Sequence, residues 1–122
     1  MTIFYTITRK SIDNKQDEVF NLALEMKILA ISKDNPGIIN DDFKPHLKGE
    51  AANVFGFYQN NTIRKIYFEK DGYAANMILE CEDAEEAKNI LEKLPLVRAG
   101  LISFTIIPLI PYTGFARLFE QP

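Results

Sequence analysis

The chain has 122 residues, of which 47% are hydrophobic and 25% charged, with a net charge of −3. That length allows one domain, large enough to bury a core without staples, and the composition is that of a folded rather than a disordered chain. The scattered basic residues make no electrostatic footprint for nucleic acid or an anionic membrane. One cysteine and one histidine leave no intrachain disulfide and none of the common zinc ligand sets.

No apolar run reaches the ~18 residues of a membrane span, and "MTIFYTITRK" lacks the layout of a secretion signal. The expected setting is therefore cytoplasmic. There is no G-x-S-x-G elbow, Walker loop or dinucleotide fingerprint, and neither a metal nor a cofactor is expected.

Taken in chain order, "TIFYTITR" at 2–9 alternates and is rich in aromatic and β-branched residues, which predicts a strand. The following "SIDNKQDEVFNLALEMKILAIS" predicts a helix. Asp13 or Asn14 can cap it, and Asp17 and Glu18 lie in its first turn. Val19, Leu22, Ala23, Met26 and Ala30 form one apolar stripe, with Phe20, Leu24, Ile28 and Ile31 beside it. A second helix is expected from Pro45 to Gln59, with Leu47, Ala51, Val54 and Tyr58 at helical spacing and two glycines that weaken it.

"TIRKIYFE" at 62–69 and "YAANMILECE" at 73–82 flank an Asp71-Gly72 turn and predict a hairpin. Asp83 then caps a helix running to about Leu94, with Glu86 at the reciprocal capping-box position. Pro95 stops that helix. The last strand is expected over 100–109, with Pro108 at an edge or at the end of pairing because it has no N–H to donate.

This order predicts an α+β fold. It is the split βαβ, ferredoxin-like plan: a four-stranded antiparallel sheet, with an extra helix inserted after the first helix. The hairpin and the last strand carry apolar residues at both parities. A sheet face that helices leave uncovered then calls for another surface, and sheet-to-sheet dimerisation would supply one. The stretch "FTIIPLIPYTGFARLF" closes the chain, and residues 108–122 are expected to form an apolar arm. Phe115, Leu118 and Phe119 share one face of a short turn in it, with Tyr112 nearest the pocket.

That C-terminal pattern resembles the muconolactone isomerase-like proteins. So does its lead-in, "IRKIYFEKDGYAANMILECEDAEEAKNILEKLPLV", with "LPL" after the second core helix and "PL-x-PY" after the last strand. The resemblance covers roughly residues 45–119 and points to a side branch of that family rather than to the isomerase itself. It implies a dimeric α+β barrel, a homodimer or higher homo-oligomer. It also implies a pocket between sheet and helices for a small organic acid, lactone or aromatic, and chemistry without a cofactor.

Four residues are candidates for that chemistry. His46 and Glu50 stand at i, i+4 on the second helix and suit an acid/base pair, or else merely share a solvated first turn. Arg64 would hold a carboxylate or lactone oxygen inside a barrel, or would pair across the hairpin with Glu80 at a rim. Glu80, if unpaired in its apolar strand, would have a raised pKa and could abstract a proton. Tyr67, Asn76, Ser103 and Tyr112 are candidates for ligand contact, Tyr67 and Ser103 with packing as the alternative.

Three readings of function follow: an isomerase-type enzyme in which one of these bases moves a proton next to a carbonyl, a non-catalytic small-molecule-binding or structural dimer, and a cofactor-free monooxygenase.

Overall fold

The computed structural model describes residues 26–121. The strand expected at 2–9 and the first part of the expected first helix lie outside those residues. The remainder of that helix is a correction: Met26–Asp34 is a strand, β1. Ile28, Ala30 and Ser32 are buried, while Leu29 and Ile31 are half-buried. The period is therefore two: one face is buried, and the other sets half-buried Leu29 and Ile31 between exposed Lys27 and Lys33.

Asn40–Phe43 (α1) and a 3₁₀ turn at Lys44–His46 lead into Leu47–Gln59 (α2), so the second helix stands as expected. It is not an insertion between helices. It is the crossover from β1 to the next strand. Asn61 ends it in the left-handed region at φ 70. The Thr62 N–H donates to Phe57 O and the Asn61 N–H to Tyr58 O, the paired bonds that close a helix C-terminus.

Ile63–Phe68 (β2) and Ala75–Cys81 (β3) form the expected hairpin. Asp83 caps Ala84–Leu91 (α3) by accepting the Glu86 N–H at 2.8 Å. Glu86 reaches back one residue further than a capping box requires, accepting the Glu82 N–H at 2.7 Å. α3 ends at Leu91, three residues short of the expected Leu94, and Pro95 instead begins Pro95–Arg98 (α4), whose first turn has no use for the missing N–H. Gly100, at φ 77, turns the chain into Ile102–Leu109 (β4).

The sheet is antiparallel throughout, in the order β2-β3-β1-β4. The described part is thus an α+β fold with a four-stranded antiparallel sheet and several helices, compatible with a ferredoxin-like fold. Pro108 lies opposite Ile28 on β4, an edge strand, where a missing donor is tolerated.

The core lies on one face of this sheet. Ile28, Ala30, Met77 and Leu79 pack there with Ala87 and Leu91 of α3 and with Leu94. Neither buried cluster includes Leu29, Ile31, Ile78 or Ile107, which share the opposite parity.

Candidate functional site

Helix α2 contains no buried residue. Leu47, Glu50, Ala51, Val54, Phe55 and Tyr58 recur along one of its faces at helical spacing, and all of them line a single cavity. Of the stripe that sequence periodicity marks as core-facing, Val54 reaches the core cluster, while Leu47, Ala51, Phe55 and Tyr58 stay exposed along the cavity among the described residues. The far wall is the covered face of the sheet, including Ser32, Met77, Ile102 and Phe104. The cavity holds about 970 Å³, at the upper end of the range for small-molecule sites.

Its lining also includes the charged and polar residues Asp34, Asn40, Lys44, Arg64 and Lys65. Glu50 is half-buried within the apolar stripe and accepts the Leu96 N–H through Oε1 at 2.9 Å. Burial pushes its carboxyl above the usual carboxylate range, against the opposing pull of the Leu96 N–H and of nearby His46. Ser32, 8% exposed, accepts the Ala75 N–H at 2.8 Å, which leaves its hydroxyl hydrogen available to donate. Tyr73 sits at the border of the cavity at φ 59, a strained backbone state for a bulky residue, with its ring edge-on to Phe68.

Of the residues singled out in the sequence, Glu50, Arg64 and Tyr67 line the cavity. His46 is half-buried next to it but is not part of the lining, and no ion pair joins it to Glu50 among the described residues. Glu80, Asn76 and Ser103 point to the opposite sheet face, by their register with Lys27, Ile31 and Lys33; Tyr67, paired with Asn76, therefore reaches the cavity only from the sheet edge. Asn76 Nδ2 donates there to Glu69 Oε2 at 2.9 Å. Tyr112 belongs to the tail. It packs edge-on against Phe115 with centroids 4.9 Å apart, away from the cavity lining.

Arg64 shows why strand parity read from sequence misleads here. In a regular strand it would share a face with Ile66, which lines the cavity. A register shift between Ile63 and Lys65 makes Arg64 an extra residue on β2. Such a bulge re-aims a side chain. Ile63 is delivered to the core instead, and Arg64 Nη1 bonds Glu80 Oε1 at 2.7 Å. Lys27 Nζ meets the other oxygen of Glu80 at 2.6 Å. Glu80 is therefore an ion-paired carboxylate, not a lone one. Its 22% side-chain exposure and the partial exposure of both cations make this a modest stabiliser.

Sequence reasoning passed over one signal: Glu50 falls inside the stripe formed by Leu47, Ala51 and Val54, an acid set among apolar neighbours. It missed Phe43, Phe55, Phe68 and Phe104, which complete the aromatic lining.

Cys81 is buried, and burial together with the Glu86 carboxylate pushes its thiol up to about 11. It is an inert packing residue. No group of three or more potential metal ligands occurs among the described residues. No helix among them is long and apolar enough to cross a membrane. No family model and no curated protein matches the chain.

Proposed function

We propose that this cavity is a small-molecule site and that the chain is a cofactor-independent, isomerase-type enzyme of the muconolactone isomerase-like kind. One observation carries the reading: among the described residues the apolar face of α2 is only partly packed and borders a cavity, with the Glu50 carboxyl set into it. A carboxyl raised by burial suits proton transfer near neutral pH. Glu50 is the base in this reading. Glu80 is neutralised by two cations on the other face, and His46 does not line the cavity. Arg64, on the edge strand β2, borders the cavity but holds Glu80 on the other sheet face, so it would meet a developing oxyanion only by breaking that bond and turning around the sheet edge.

The test is exchange of the proton next to a carbonyl, followed by proton NMR in deuterium oxide over a panel of lactones and cyclic ketones. Replacing Glu50 with Ala is expected to slow enzyme-dependent exchange by about 100-fold or more, the usual weight of a general base. Exchange that is unaltered in Glu50→Ala removes the assignment.

A non-catalytic binding protein is the second reading, favoured by the commitment of Arg64 Nη1 to Glu80. Binding without exchange would select it. We also propose that the second sheet face is covered by another copy of the chain, as in a dimeric α+β barrel. Support comes from its apolar residues and from the exposed tail that continues β4.

A further inference from the structure

We propose that Tyr73 is a ligand-contact residue that sets specificity: with Phe68 it forms an aromatic corner at the mouth of the cavity, which selects a planar aromatic ring over a saturated ring of the same skeleton. The inference rests on reading the cavity as a ligand site and names one of its specificity residues.

The β2-β3 hairpin places both rings. Phe68 lies opposite Ala75 and shares the parity of Ile66, so it faces the cavity from the end of β2. Beyond it the Glu69 N–H donates to Ala74 O at 2.8 Å, which leaves residues 70–73 to close the loop. The loop takes two successive residues through positive φ, Gly72 at 95 and Tyr73 at 59. Gly72 adopts that state freely. For a tyrosine it is strained, and glycine or asparagine would fill the position at lower cost. Among the described residues, burial of the ring does not offset this cost. Tyr73 is 73% exposed, and Phe68, which it packs against, is 68% exposed. A costly backbone state that holds a large ring at the rim of a cavity points to what that ring touches when the cavity is filled.

The two ring planes stand at 84° with centroids 6.1 Å apart. A third ring laid offset on one of them is edge-on to the other, and both are favoured aromatic geometries. A saturated ring gains burial there without these contacts. Phe55 and Tyr58 of α2 also line the cavity and extend its aromatic surface.

The experiment titrates the full chain at pH 7 by calorimetry with 2-naphthol and decahydro-2-naphthol, which share a hydroxyl and a fused two-ring skeleton. 2-Naphthol should bind about fivefold more tightly, the weight of one good aromatic contact. Tyr73→Asn should lower 2-naphthol affinity by about fivefold while leaving decahydro-2-naphthol within about twofold. It should also raise the melting temperature, because asparagine accepts the left-handed state. Tyr73→Phe keeps the ring and should keep both affinities.

No preference for 2-naphthol, a preference that survives Tyr73→Asn, or an asparagine variant that melts below the natural chain overturns this inference and leaves the cavity reading standing. Failure of both probes to bind overturns the cavity reading and this inference with it.

Discussion

Glu50 is where a single side chain decides most. Its folded-state pKa is raised, so the folded chain holds that proton more tightly than the unfolded chain does. The stabilising contribution is therefore complete below the ordinary value of 4.5 and is lost as pH rises through the raised folded value. Glutamine keeps the acceptor for Leu96 but carries no charge to desolvate. Thermal melts of Glu50→Gln and the natural chain from pH 4 to pH 8 should show the difference shifting in favour of the variant as pH rises. A difference that stays flat, or that moves the other way, would mean the carboxyl is not desolvated in the folded chain. The same melts probe the site independently of any ligand, because an acid kept in an apolar stripe at a cost to stability is what a functional residue looks like.

Two helices of similar sequence periodicity play different roles. In α3 the apolar positions are filled: Ala87 and Leu91 are buried, and Leu94 just beyond is fully so. In α2 the same periodicity faces a cavity, and Leu47 stays 51% exposed. Leu94→Ala should cost ~2–5 kcal/mol by urea denaturation, the range for emptying a packed site. Leu47→Ala should cost no more than ~0.5–1 kcal/mol, since it removes a contact with open space rather than with the core. Equal losses at the two positions would mean the α2 stripe is packed in solution.

The contrast also marks what the sequence could reveal. The hairpin and α3 were legible because Asp71-Gly72 and Asp83 are strong local signals, and α2 was legible from its period. β1 was not. "MKILAIS" is apolar at both helical and strand spacings, and only its place between β3 and β4 decides. Nothing local announces the bulge at Arg64, so the face that its side chain takes could not be read in advance. A filled stripe and a partly filled one look alike in sequence, because the difference lies in how the helix packs on the sheet.

At the scale of the whole molecule, the sheet face that no described helix covers and the tail pose one problem together. Leu29, Ile31, Ile78 and Ile107 share that face, and β4 runs directly into a segment whose Tyr112, Phe115, Leu118 and Phe119 are 67–81% exposed. Both sheet edges resist joining another strand: β4 carries Pro108, and β2 is short, bulged and bears Lys65. Association through the face is the remaining route, and its electrostatics have a definite sign. By register or ion pairing, Lys27, Lys33, Arg64 and Lys65 lie on that side, against the carboxylates of Glu80 and Glu69. Two copies face to face bring excess positive charge together, so added salt, which screens it, should strengthen the dimer rather than weaken it. Sedimentation at micromolar concentration should therefore report a dimer whose dissociation constant falls between 50 mM and 500 mM salt. Ile107→Lys adds one more cation at a position already 39% exposed in the single chain. It should leave the melting temperature of the monomer unchanged and shift the equilibrium toward monomer, most strongly at low salt. Removing residues 111–122 should also weaken association, with no change in the sign of the salt effect. A natural chain that sediments as a monomer at every salt concentration would overturn the shared barrel. A dimer indifferent to both Ile107→Lys and the tail deletion would place its interface elsewhere.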